Sequence, residues 1–219
     1  MINNISDNIW IIPYQTKSMG VLFKNKSTVI RINGELLIIS PGPWDEYLKT
    51  ELEKLGALRW IFAPNSFHHL HYRSWLRASP ELEAWGTKAL AKKRPEIKFN
   101  HIWDGEQPFE PEVQLFGLMG IPKIDEILFY HKSSGSLIVT DLIFNELNLT
   151  GPMNWFFYSL FGIWKRTATS RLFKMCVSDK KAFKTSLESI FDLNIEQVIL
   201  NHGNTLDNKT DLVQTLTWI

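Results

Sequence analysis

Three of the chain's six histidines stand within four positions, at His68, His69 and His71, directly after Ala63-Pro64-Asn65-Ser66-Phe67. Imidazole is the commonest protein ligand for transition metals and titrates nearest neutral pH, so such a cluster suits metal binding or proton transfer. Two further places carry groups of the same kind. Asp141 follows the apolar run Leu137-Ile138-Val139-Thr140, and Asn201-His202-Gly203-Asn204 follows Val198-Ile199-Leu200. A carboxylate at the end of an apolar strand must be solvated, paired or metal-bound to offset its desolvation. A histidine ahead of glycine in a short polar loop presents an open imidazole edge. Catalytic zinc takes three protein ligands and a water, a count that His69, Asp141 and His202 would meet, with His68 and His71 as alternates. The competing reading has His68 or His69 hydrogen-bonded inside a helix start and Asp141 capping a loop.

The other reactive side chains are less suggestive. His101 and His131 sit beside Asn100 and Lys132 in polar segments and read as solvated. Cys176, the single cysteine, lies in Phe173-Lys174-Met175-Cys176-Val177 and reads as a buried, inert thiol; no internal disulfide can form. No Gly-x-Ser-x-Gly elbow, P-loop or Gly-x-Gly-x-x-Gly fingerprint occurs, which removes the simplest serine-hydrolase and nucleotide readings.

The elements that must position these groups alternate along the chain. Ile9-Trp10-Ile11-Ile12, Val21-Leu22-Phe23, Thr28 to Ile32 and Glu35 to Ile39 read as strands, with Asn33-Gly34 as a two-residue hairpin turn. Ser40-Pro41-Gly42-Pro43 breaks the sheet, and Trp44 to Leu55 shows helical spacing closed by Gly56. A strand at Trp60 to Ala63, a helix at His69 to Leu76, a strand at Leu82 to Trp85 and a basic helix at Lys88 to Arg94 follow, then Ile97-Lys98-Phe99. Val113 to Gly117, Glu126 to Tyr130 and Ser136 to Thr140 read as strands, the last two joined through Ser133-Ser134-Gly135. The chain then turns helical to about Asp192, before a strand at Ile195 to Leu200 and a short last helix. This pattern predicts one α/β domain over residues 1–219, with helices outside the sheets.

Bulk properties agree with a folded globular chain. At 219 residues, 44% hydrophobic and 21% charged, the chain can bury a sizeable core. A net charge of +1 makes no case for nucleic acid, and Lys88 to Arg94 reads as a solvated helix face. Met1 to Asp7 lacks a basic stretch followed by an apolar one, so the expected location is cytoplasmic. Pro152 to Trp164 is intensely aromatic and followed by Lys165-Arg166. It falls short of the ~20 apolar residues that span a bilayer. Such a helix covers the core or a pocket with its aromatic face, or rests on a membrane surface or protein partner through Trp155 to Trp164.

The order of these pieces resembles the metallo-β-lactamase-like hydrolases, and among them a bacterial branch known as a domain of unknown function. Glu35 to Gly42 resembles the family's early strand ending in an Asp-Thr-Gly-like turn, here Ser40-Pro41-Gly42. The strand into Ala63-Pro64-Asn65 resembles the approach to its His-x-His-x-Asp-His motif. Thr140-Asp141-Leu142-Ile143-Phe144 resembles its Gly-Asp-x-x-Phe strand end, whose aspartate bridges two ions, and Asn201-His202-Gly203 resembles its last ligand. The resemblance implies a four-layer αβ/βα sandwich with an aromatic helical insertion at about 146–176. The ligand set is reduced. Aligning Asn65 with the first motif histidine places Phe67, His69 and Leu70 at the remaining motif positions, and Met119 to Lys123 holds no histidine where the middle ligand falls. A two-ion centre needs more ligands than these.

Two readings follow. One is a hydrolase-like enzyme with one zinc or iron ion on Asp141 and His202, with His69 as third ligand or proton shuttle, acting on an ester, thioester or related bond of a small molecule. The other is a non-catalytic member without an ion that binds a partner, lipid or hydrophobic ligand through the cleft or the aromatic segment.

Overall fold

The computed structural model describes residues 1–18 and 20–219. Two sheets pack face to face. The first holds seven strands in chain order, β1 (Asn3–Ser6), β2 (Ile9–Ser18), β3 (Val21–Ile32), β4 (Glu35–Ile39), β5 (Ala57–Phe62), β6 (Glu83–Gly86) and β7 (His101–Ile102). The second orders β11 (Gln197–Gly203), β10 (Ser136–Asn145), β9 (Ile127–His131) and β8 (Val113–Gly117). Between the sheets, Ile30, Leu37, Phe62 and Trp85 meet Val113, Phe129, Ile138 and Ile199. Helices α1 (Glu46–Glu53), α2 (Tyr72–Ala78) and α3 (Lys88–Lys93) cover the outer face of the first sheet, where Leu52, Tyr72, Trp75 and Leu90 are buried. On the second, Phe173 of α5 (Arg171–Met175), Phe183 and Leu187 of α6 (Lys180–Phe191) and Leu212 of α7 (Lys209–Thr215) pack on Leu128, Val139 and Val198. The result is the αβ/βα sandwich expected above.

Local chemistry accounts for many of the boundaries. Asn33 and Gly34 take φ of 51° and 86°, the positive values a tight hairpin demands, and the register Ile32↔Glu35 closes directly across them. The Asp45, Thr87 and Asp179 side chains accept from Leu48, Leu90 and Ala182 backbone N–H groups and so start α1, α3 and α6. In α6, Phe183, Leu187 and Ile190 recur at the spacing of one buried helix face.

Several boundaries differ from the apolar pattern. Val21–Phe23 and Thr28–Ile32 belong to one strand, because β3 pairs with β2 without interruption through Lys24, Asn25, Lys26 and Ser27. These polar residues belong to the sheet end nearest the site, which is why the hydrophobic signal lapses there. Ile97-Lys98-Phe99 is not a strand; the edge strand is His101–Ile102. The helix read from His69 begins only at Tyr72. The stretch after Asn145 is broken: α4 (Pro152–Leu160) and α5 are separated by an irregular segment that returns to β10 at Phe144↔Ala168. Among the described residues no helix is long and apolar enough to cross a membrane.

Candidate functional site

Strand β10 does not stop at Thr140. It runs to Asn145 and pairs with β11 through Val139↔Leu200, then resumes at Phe144↔His202. The interruption ejects Thr140 to Ile143 from regular pairing, and Asp141 sits on this bulge. Glu126, fully buried just before β9, replaces the missing ladder bonds: its Oε1 accepts from Thr140 N (2.9 Å), Thr140 Oγ1 (2.7 Å) and Asp141 N (3.0 Å). Burial pushes the Glu126 carboxyl up to about 7, with the Asp141 charge adding to it, against these bonds. His202 lies inside β11, not in a loop beyond it. Its ring stacks on Phe144 at 4.5 Å and 12°. The close approach of the two strands depends on Gly203, with φ of +94°, since a Cβ there would stand 2.2 Å from the Asn145 carbonyl oxygen.

The imidazole that joins Asp141 and His202 is His68, where His69 had been singled out. His68 Nε2 lies 3.2 Å from Asp141 Oδ2, His202 Nε2 lies 3.3 Å from Asp141 Oδ1, and the two Nε2 atoms are 3.3 Å apart. His69 turns outward, and Arg94 Nη1 meets its Nε2 at 2.8 Å. Partial burial, followed by the Arg94 charge, lowers its pKa to about 4. Its lone pair is thereby spent. His71 stands at the N-terminal boundary of α2 without a side-chain capping bond and packs edge-on to Tyr14 at 5.6 Å; it reaches the pocket wall but stands outside the cluster. His101 stacks on Trp85 at 4.2 Å. His131 is buried rather than solvated, its Nδ1 2.7 Å from Ser134 Oγ, because it closes the β9–β10 turn. Cys176 is free and half-buried.

Three residues not placed in the ligand set orient it. Asn65, buried, donates from Nδ2 to Asp141 Oδ2 (2.8 Å) and Thr140 Oγ1 (3.0 Å), while its Oδ1 accepts from Phe67 N and His68 N at 2.8 and 3.0 Å. One amide therefore shapes the turn that aims His68 and holds the carboxylate it faces. Ser40, with φ of +54°, brings Oγ to 2.6 Å from His68 Nδ1, and Asn201 Nδ2 donates to the same oxygen at 2.9 Å. Pro41-Gly42 passes beneath Tyr14, whose ring would stand 2.6 Å from a Cβ at Gly42. The third is Glu126. In sequence, Asn65 stood at the position of the family's first motif histidine and Ser40 at the start of its Asp-Thr-Gly-like turn, neither with a role of its own, and Glu126 figured only as a strand start.

Electrostatics inside the triad follow from burial and pairing. Burial alone would raise the Asp141 carboxyl, but the His68 charge and the hydrogen bonds of both imidazoles hold it well below the usual carboxylate range. Burial disfavours the His68 cation, yet Asp141 outweighs it and raises the pKa. For His202 burial prevails over Asp141 and lowers it.

The donor set fits one ion. Zinc bonds of 2.0–2.1 Å in a tetrahedron place ligand atoms about 3.3 Å apart; the two Nε2 atoms stand at that separation, and each faces one oxygen of the Asp141 carboxylate at 3.2 or 3.3 Å. Both imidazoles present Nε2 to the same point, and His68 has Ser40 on its other nitrogen, the kind of outer partner that fixes a ligand tautomer. Among the described residues, His68, Asp141 and His202 are the one group of three such donors within 4.8 Å of one another. The cluster forms the floor of a cavity of about 310 Å³ walled by Tyr14, Phe23, Phe157 and Ile163. The aromatic segment thus serves as a wall through Phe157 and Phe161, buries Tyr158 beneath, and leaves Trp155 and Phe156 exposed.

No protein-family model matches the chain, and no curated protein matches it in sequence. Solved structures do match over nearly its whole length. TMB-1 superposes with a TM-score of 0.69 at 14% identity, over 98% of this chain and 94% of that one. A metallo-beta-lactamase from Pontibacter korlensis gives 0.67 at 12%, over 99% and 97%. The metallo-beta-lactamase FIM-1 from Pseudomonas aeruginosa, in a mono-zinc form, gives 0.64 at 13%, over 98% and 92%. The chain has the metallo-β-lactamase fold.

Proposed function

We propose that this chain is a metal-dependent hydrolase of an acyl bond, an ester, a thioester or a related linkage, with a single-ion centre on His68, Asp141 and His202. The observation that carries this reading is the convergence of three donor groups, the two Nε2 atoms 3.3 Å apart and each 3.2 or 3.3 Å from one oxygen of the Asp141 carboxylate, at the floor of a half-open, largely apolar cavity. A zinc or iron ion held there would supply Lewis acidity and make water a stronger acid. The protein's own part is preparation. Asp141 contributes the negative charge that offsets a cation, Asn65 restricts the rotation of its carboxylate, and Ser40 engages the other nitrogen of the His68 ring and so limits its rotation. The aromatic walls exclude water around the reacting group, which strengthens every charge interaction inside.

Elemental analysis of protein purified without a histidine tag tests the reading. About one equivalent of zinc or iron is expected, falling below about 0.1 in His202→Ala, because such sites bind tightly. Less than about 0.1 equivalent in the unmutated protein would overturn it.

A further inference from the structure

We infer that the cavity above the cluster takes an uncharged substrate through an apolar acyl or aryl group, and rejects substrates that carry an anion on the group facing the walls. The inference deepens the hydrolase reading and rests on it for the position of the reacting group. Three observations carry it. The walls above His68 and His202 are mostly apolar or aromatic, among them Tyr14, Phe23, Leu70, Phe157, Ile163 and Leu172, and the polar side chains beside them, Thr16, Asn25 and Ser170, are uncharged. Among the described residues no lysine or arginine lines the cavity, and the one carboxylate that does, Asp141, is turned onto the two imidazoles. Lys93, outside the cavity, is already engaged: its ammonium lies 4.6 Å above the Phe67 ring and donates to the Ser66 carbonyl at 2.9 Å.

These features set recognition by difference. An anionic substituent entering the walls would lose its hydration and find no cation in exchange, a cost of several kcal/mol in an apolar site. An alkyl or aryl group of the same size loses only unfavourable contact with water, worth about 25 cal/mol per Å² buried. The charged groups of the lining are confined to the floor, so an ester or thioester carbonyl points down to the cluster with its apolar group up against Phe157 and Leu172.

The walls continue outward as exposed apolar side chains, Trp155, Phe156 and Leu160 on α4, beside the basic Lys165, Arg166, Arg171 and Lys174. An acyl group of this chemistry could arrive free in water or from an anionic lipid surface.

The experiment uses the full chain and the uncharged dye Nile red, whose emission rises in apolar surroundings. Saturable binding at one site is expected, displaced by phenyl decanoate and at least about tenfold less well by the corresponding carboxylate, monophenyl decanedioate, which carries its charge at the far end of the same chain. Leu70→Glu and Leu172→Glu alter positions 65% and 45% exposed at the cavity wall, where the fold tolerates charge, and each should weaken dye binding at least about tenfold. Met175→Glu, at a position 82% exposed and off the wall, should leave it unchanged. Equal displacement by ester and carboxylate, or indifference to both wall substitutions, would overturn the inference. Co-sedimentation with vesicles containing phosphatidylglycerol separates the two sources: retention lost in Trp155→Ser/Phe156→Ser assigns a membrane lipid, and no retention assigns a free ester. Metal content is read on the same samples. Dye binding without metal removes the hydrolase reading and keeps the apolar site; metal without dye binding does the reverse.

Discussion

His68 and His202 present their Nε2 atoms to each other at 3.3 Å, each within 3.3 Å of the Asp141 carboxylate, from two strand ends in different sheets. The first imidazole hangs from the turn after β5 and the second from β11. Only the packing of one sheet on the other makes them neighbours.

That arrangement depends on Asn65. Removal of its amide in Asn65→Ala frees Asp141 Oδ2 and leaves the Phe67 and His68 N–H groups without their acceptor. Metal affinity should fall about 10–100-fold, as for other outer partners of metal ligands, and stability by about 1–3 kcal/mol. Competition with a chromophoric chelator and denaturant unfolding measure the two. Unchanged affinity would show that the carboxylate needs no such support.

Ser40 separates a backbone effect from a side-chain effect. Both Ser40→Ala and Ser40→Gly remove the hydroxyl facing His68 Nδ1, so both should weaken metal binding alike. At φ of +54° alanine keeps the strain and glycine relieves it, so the glycine variant should be the more stable by about 1 kcal/mol. Thermal melts of the pair, with metal titrations alongside, provide the check.

Glu126 tests the bulge. In Glu126→Ala the Thr140 and Asp141 N–H groups lose a buried acceptor, and the loss should exceed about 3 kcal/mol, since each stranded donor costs about 1–3 kcal/mol. A cost below about 1 kcal/mol in urea unfolding would mean that the bulge is held by its neighbours instead.

His69 governs part of the acid response. Its folded pKa of about 4 lies below the ordinary imidazole value of 6.5, so the unfolded chain binds the proton more readily between those values. Stability from this group is complete above pH 6.5 and is lost as pH falls toward 4. Replacement by glutamine should flatten the stability profile in that window by about 1 kcal/mol, after allowance for solvent screening of a half-buried ring. Unfolding midpoints at pH 7, 5.5 and 4.5 read the slope directly, and an identical slope in both proteins would exclude His69 as its source.

What could be read from residue order was what neighbouring residues decide. Asn33-Gly34 demands its hairpin, Asp45 and Asp179 start their helices, and the apolar runs at Leu36 to Ile39 and Leu137 to Val139 are strands buried on both faces. The order of these elements already resembled the metallo-β-lactamase arrangement, and Asp141 and His202 stood out because each follows an apolar strand. The choice among His68, His69 and His71 lay beyond such reasoning. Those side chains leave an irregular turn, where no periodicity says which way each one points, and their directions are decided by distant partners: Asn65 beside Asp141, Ser40 from β4's end, Arg94 at the end of α3. The bulge that carries Asp141 and the buried Glu126 beneath it are likewise products of pairing between strands far apart in sequence. Local sequence supplied the elements and two of the three donors; tertiary packing decided which imidazole completes the set, because only the folded chain brings a carboxylate, an amide and a hydroxyl to bear on one ring.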